Sequence, residues 1–391
     1  MASLLDDIQG LEEEVKEYRK HIHMHPEIGL ETKETEKYVR TILEDCEIEF
    51  LPSSIGLIAL IDNPRAEDYI AFRADMDALP IQEKNTHDFI SKNPGKMHAC
   101  GHDGHTAILT GLGKYLSQNK DLLKHKVLLI FQPGEEGPFP GGAHIMVKDL
   151  ENLNILKKIK YIFALHITTE IPVSKFGIRY GSSMASTDEF FIKFLGKEGH
   201  TSEPQNAIDA ISTAAKFVMM IESFMNKGID PLIPTVFSIG KIQGGNARNV
   251  VAGECSLEGT IRNQDEKTRA LILSKIKDIL DALKLSTHCD YELEITHGLP
   301  VLCNNEKAID FVKGVISEKL DPKQIEMLEN PAMGAEDFAF FAEQIPAAFI
   351  WLGAGFKDKD KNTNLHNPHF DFNEDALLYG IELFSSIALS K

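Results

Sequence analysis

The sequence predicts an α/β protein, with a mixed, mostly parallel sheet flanked by helices on both faces and an inserted ferredoxin-like α+β domain. Three observations lead there. Short apolar runs alternate with stretches of helical spacing, these runs end in polar residues, and the order of elements changes between residues 187 and 297.

Taken in order, residues 4–45 place apolar side chains at helical spacing, interrupted at His25-Pro26, since proline disfavours helix in the residue before it. The runs YIAF at 69–72, VLLIF at 127–131 and YIFAL at 161–165 read as strands buried on both faces, with helices at 103–118 and 141–150. Ligands bind beyond the carboxyl ends of such strands, which directs attention to Asp75, Gln132 and His166. From 187 the pattern becomes strand, helix at 206–227, strands at 234–243 and 250–262, helix at 265–284 and a strand near 290–296. The expected domains are therefore 1–186 with 298–391, and 187–297 inserted between them.

At 391 residues the chain exceeds one ordinary core. Its 59 acidic against 41 basic residues give a net charge of -18, which repels phosphate backbones and argues against a nucleic-acid partner. Five cysteines, odd in number and irregularly spaced, do not make a disulfide framework. The N-terminus lacks a basic n-region and an apolar h-region, and no run approaches the roughly 20 apolar residues of a membrane span. A reducing cytoplasm, with no membrane partner, is the expectation.

The densest chemical signal is MHACGHDGH at 97–105, three His, one Cys and one Asp within nine residues. A lone His is ordinarily a core or surface residue, whereas such a cluster with turn-permitting glycines suits a metal, with Cys100 as thiolate. QPGEEG at 132–137 follows a buried strand, and its adjacent carboxylates repel unless something positive holds them. Alone it reads equally as a solvated turn; beside the cluster, one Glu as ligand and one as general base is the better account. His166 by itself reads as a satisfied core imidazole, and LHNPHF at 365–370 offers two His that could each be surface residues. Together these loops suffice for two cations, whose natural use is hydrolysis of an amide or ester. No nucleophile elbow, Walker lysine or dinucleotide glycine motif competes.

In the order HMHPEIG (23–29), RADMDALP (73–80), MHACGHDGHTA (97–107), QPGEEG, LH (165–166), GTIR (259–262), MGAEDF (333–338) and LHNPHF, the chain resembles the hippurate hydrolase/indole-acetyl-amino-acid hydrolase branch of the aminoacylase and carboxypeptidase superfamily of di-metal peptidases. The resemblance spans about residues 15 to 385. It implies two divalent ions bridged by Cys100, with His102 and His166 on one and Glu136 and His366 on the other, and such Cys, His and carboxylate donors admit Mn, Zn, Co or Ni. It implies Glu135 as the base and Asp77 as the residue that orients a ligand imidazole, while Asp103 and His105 are left without a ligand role. The inserted domain resembles a lid and dimerisation domain, implying a homodimer or higher homo-oligomer. His200 would assist the oxyanion in the neighbouring subunit, and Asn249 and Arg262 would hold the substrate carboxylate. The implied reaction is hydrolysis of a small N-acyl amino acid. The chain departs from the family at Gln205, where His is usual, and at Ala252, where Pro is usual, which leaves substrate preference open. The rival readings are a dipeptidase or aminopeptidase using Glu336 to meet a free amine, an N-acetyl-diaminopimelate deacetylase, a silent sensor, and a purely structural metal.

Overall fold

The structure, a computed structural model, describes residues 4–391. The strands of its two main sheets are, in chain order, Glu49–Leu51 (β1), Leu57–Ile61 (β2), Tyr69–Asp75 (β3), Lys126–Gln132 (β4), Ile159–Pro172 (β5), Phe176–Ile178 (β6), Ser186–Leu195 (β7), Thr235–Gly244 (β8), Glu254–Asn263 (β9), Asp290–His297 (β10), Ile325–Met327 (β11) and Ala347–Gly355 (β12). The principal helices are Glu12–Met24 (α1), Lys33–Glu44 (α2), His102–Gln118 (α3), Ala143–Asn152 (α4), Ala210–Lys227 (α5), Glu266–Thr287 (α6), Glu306–Lys319 (α7) and Ala376–Ala388 (α8).

The first compact unit comprises Met1–Gly181, Cys303–Asn330 and Asp337–Lys391. Its sheet runs β1-β2-β4-β3-β5-β12-β6-β11. The central pairs β4-β3, β3-β5 and β5-β12 are parallel, as is β6-β11, and the remaining pairs are antiparallel. In β3 and β4 every residue after the first is buried, so both faces of the sheet are covered. The fold is thus the mixed, largely parallel α/β class that the apolar runs predict. Helix α4 starts at Ala143, later than the spacing suggests, because Gly141 sits at φ +95°, outside helical geometry.

The second unit comprises Ser182–Leu302 and Pro331–Glu336. Its four strands are all antiparallel, in the order β8-β9-β7-β10, and its own core joins Phe190, Ile192 and Phe194 of β7 to Phe217 of α5 and Ile276 of α6. This is the ferredoxin-like arrangement. The segment 250–262, expected as one strand, is two: Val250–Val251 pairs with Gly199–His200, and β9 begins after Ala252 and Gly253. The short segment Pro331–Glu336 belongs to this unit rather than to the first. Ala332 donates its N–H to Ser183 O at 2.9 Å, and Arg262 Nη1 reaches Met333 O at 3.0 Å.

Candidate metal centre

The site assembles at the carboxyl ends of β3 and β4 and around His166, which the structure places inside the 14-residue strand β5 and not beyond its end, because pairing with β12 carries the strand on to Pro172. After β3, Asp77 accepts the backbone N–H groups of Glu135 (2.9 Å) and Glu136 (3.0 Å) with its two carboxylate oxygens. The turn after β4 is thereby folded back so that the Glu pair faces the start of α3. Cys100 precedes that helix and His102 opens it. Gly101 between them has φ +88°, a left-handed conformation costly for any residue with a Cβ.

Sequence reasoning expects Asp77 to orient an imidazole; in the structure it is the Asp77 carbonyl that lies 2.8 Å from His102 Nδ1. His166, in β5, similarly sets Nδ1 2.8 Å from Ile167 O. A carbonyl only accepts, so both rings must carry a proton on Nδ1, which turns each Nε2 inward. His166 Nε2 lies 3.5 Å from Cys100 Sγ, and His102 Nε2 is buried without a hydrogen-bond partner. His366 has φ 63°, rare for a residue with a side chain, and its N–H is fixed to Ala99 O at 2.7 Å. Its Nε2 is 3.0 Å from Glu136 Oε1, without hydrogen-bond alignment.

Ligand atoms of Cys100, His102 and His166 therefore lie within 4.8 Å of one another, as do those of Cys100, Glu136 and His366, and those of His102, Glu135 and Glu136. Two overlapping pockets of donors share Cys100. The electrostatics ask for cations. Burial, then Glu136 and Glu135, drive the Cys100 thiol well above its ordinary range. Burial opposes charge on His102, but Asp75 and Asp77 outweigh it and push the imidazole up to about 10. Burial keeps His166 neutral, well below the ordinary imidazole range. Bound cations would supply the charge that a Cys100 thiolate and a deprotonated His102 Nε2 need. The donors present fit such ions: one thiolate, imidazoles and a carboxylate.

Both ring nitrogens of His105 are engaged. Ile167 N–H donates to its Nε2 at 2.8 Å, and its Nδ1–H goes to Asp75 Oδ1 at 2.6 Å. Behind it lies a buried network that the sequence reading did not assemble. Arg73 Nη1 meets Asp75 Oδ2 at 2.7 Å, Arg73 Nη2 meets Asp337 Oδ1 at 2.8 Å, and Gln132 Nε2 meets both Asp337 oxygens. The available signal was an Arg inside an otherwise apolar strand, which demands a buried anion. His200, Asn249 and Arg262 all lie in the second unit. His200 and Asn249 are exposed neighbours, with Thr201 N–H donating to Asn249 O, and Arg262 stands in β9. Ala252 is buried, its carbonyl accepting the Ala210 N–H that starts α5, and Gln205 is exposed.

Fold and site together define a metal-dependent hydrolase with two adjoining cation pockets. The model of peptidase family M20/M25/M40 matches residues 71–390, and the chain belongs to that family. It is 36% identical to an N-acyl-L-amino acid amidohydrolase of Geobacillus stearothermophilus over 77% of this chain and 82% of that protein. It is 33% identical to an N-acetyldiaminopimelate deacetylase of Lactobacillus helveticus over 97% of this chain and 98% of that one. The crystal structure of the Bacillus subtilis YxeP protein, described as a dinuclear metal-binding peptidase from the M20 family, matches with TM-score 0.82 at 29% identity, covering 97% of this chain and 98% of that one. No helix among the described residues is long and apolar enough to cross a membrane.

Proposed function

We propose that this chain hydrolyses the amide bond of a small N-acyl amino acid, releasing a carboxylic acid and the amino acid. In this reading Cys100, His102, Glu136, His166 and His366 hold two divalent ions. One observation carries it: two imidazoles locked by main-chain carbonyls turn Nε2 toward a shared cysteine, with a second carboxylate, Glu135, beside the Glu that completes the second pocket. A structural metal needs no such second carboxylate.

When bound, the two ions polarise the amide carbonyl and make the attacking water acidic near neutral pH. Glu135 takes the proton from the attacking water and returns it to the departing nitrogen, while Glu136, 3.0 Å from His366, would help that histidine hold an ion. Asp77 holds both glutamates by their N–H groups, so base and ligand keep their separation through the reaction. Arg262 and Asn249 are assigned the substrate carboxylate, and His200 the oxyanion in a neighbouring subunit, on the strength of the sequence resemblance. A homodimer through the second unit is supported by its edge strand β8, where Val236 and Ile242 are exposed, and by exposed Met219 and Met220 on α5. A reducing cytoplasm suits a centre that depends on the Cys100 thiolate.

The test is amino-acid release from a panel of acyl-glycines, acetyl-amino acids, N-acetyl-diaminopimelate and dipeptides, with Mn or Zn supplied. Acylated substrates should be cleaved, with Glu135→Ala at least about 100-fold slower at unchanged metal content. Cleavage of dipeptides alone would move the assignment to peptidase and bring Glu336 forward as the partner of a free amine. No turnover by protein holding both ions would reject the acyl-amino-acid assignment and favour the silent sensor.

A further inference from the structure

A second set of donors lies outside the hydrolytic centre, among α1, the segment 80–96 and the first turn of α3. His23 Nε2 is 3.1 Å from Glu83 Oε1, and His87 Nε2 is 3.4 Å from the same oxygen. All three ligand atoms lie within 4.8 Å of one another. The side chains of His23 and Glu83 are 1% and 3% exposed, and that of His87 is 19% exposed. Both ring nitrogens of His87 are buried and lack a hydrogen-bond partner, which is costly for an imidazole with nothing to bind.

We propose that His23, Glu83 and His87 form a third cation site, taking a borderline divalent ion such as Zn, Co or Ni and serving to fasten α1 to the loop before the hydrolytic centre. The spacing fits the chemistry. Ligand atoms about 2.1 Å from a tetrahedral zinc stand about 3.4 Å from one another, close to the two separations found here. The orientation fits as well. Asp103 Oδ2 lies 2.9 Å from His23 Nδ1 and holds the proton of that nitrogen, so a metal would replace the second proton, the one on Nε2 that faces Glu83 Oε1 at 3.1 Å. Glu83 is itself held in place, by Ser91 N–H on Oε2 at 2.6 Å and Asn85 Nδ2 on Oε1 at 3.0 Å. Phe89 stacks on the His87 ring with 3.8 Å between centroids, which sets the plane of the third ligand.

A protonated His23 bridging two carboxylates accounts for His23 and Glu83, but it leaves both nitrogens of buried His87 idle.

The site is separable from the hydrolytic one by experiment. Chelator-stripped full-length protein is titrated with Zn, and bound metal per chain is counted by mass spectrometry after gel filtration. Wild type should retain one zinc more than His87→Leu, and His87→Leu should hydrolyse substrate at the wild-type rate when saturated with metal. A second variant, Cys100→Ala with His366→Ala, should lose hydrolysis yet keep a zinc. Its Co form should show d–d bands without a thiolate charge-transfer band. Equal zinc in wild type and His87→Leu would overturn the proposal. So would a folded Cys100→Ala/His366→Ala protein that either binds no metal or keeps its metal after His87→Leu is added.

Discussion

Asp77 shows how much one buried carboxylate can organise. Its oxygens accept from Glu135 and Glu136, its carbonyl accepts from His102, and burial raises its pKa against the pull of the same hydrogen bonds. Asp77→Asn keeps the size but presents an amide NH2 where a backbone N–H must be received, so one of the two loop contacts is lost. Metal affinity should fall about 10- to 100-fold, read by competition with a chromophoric chelator, with little change in the fold. Unchanged affinity would mean that the glutamate turn holds itself. Glu382 makes a different point, on pH. It is buried on α8 without an ion pair among the described residues, and burial alone lifts its carboxyl to about 7 from 4.5. Its folded pKa is raised, so the native state keeps a proton that the unfolded chain releases. Its contribution is fully present below about pH 4.5 and is lost as pH rises through about 7. Glu382→Gln should therefore raise Tm by a few degrees at pH 8 and change it little at pH 4.5; an equal shift at both pH values would reject this account.

Among the elements, the strand ends carry the site and their polar anchors hold them. Asp337 pairs with Arg73 of β3, bonds Gln132 of β4 and accepts the Ala143 N–H at the start of α4, joining three elements at one carboxylate. Asp337→Ala leaves a buried guanidinium partly unpaired and an N-terminus uncapped. It should cost about 3–5 kcal/mol in denaturant titration of the metal-free protein. A loss under about 1 kcal/mol would show that Asp75 and Gln132 suffice for Arg73. This network also marks the limit of what the sequence discloses. The apolar runs at 69–72, 127–131 and 161–165 announce β3, β4 and β5 because a strand buried on both faces has no polar alternation to hide it. The donors of MHACGHDGH and QPGEEG are legible because local spacing places them. The pairing of Arg73 with Asp337 joins residues 264 apart in the chain, and no local pattern specifies it. The strands β1, β6 and β11, three residues each, are likewise defined by their partners in the sheet and not by their own periodicity. The break at Ala252–Gly253 is of the same kind, imposed when Val250–Val251 pairs with Gly199–His200.

At the scale of the whole molecule, two separate cores set how the protein should unfold. One gathers around α3, α8 and the eight-stranded sheet; the other lies between the four-stranded sheet and helices α5 and α6. Each is a cooperative unit with its own apolar interior, so two-state behaviour of the full chain is not the expectation. Cys100, His102, Glu136, His166 and His366 all belong to the first unit, as do His23, Glu83 and His87. An ion that binds only folded protein stabilises it by mass action, by about 2.7 kcal/mol at 100 times its Kd. That gain falls on the unit that owns the ligands. Calorimetry with Zn and then with excess chelator should therefore show two transitions, of which one moves upward with metal and returns with chelator while the other stays fixed. The mobile transition should be the larger in enthalpy, because enthalpy scales with residue number and the first unit contains more of the chain. The substitution Ile276→Ala, in the second core, should lower only the fixed transition, by an amount set by the cavity it opens. If metal and Ile276→Ala shift one and the same transition, the two units unfold as one, and ligand binding at the Cys100 centre is coupled to the stability of the inserted unit.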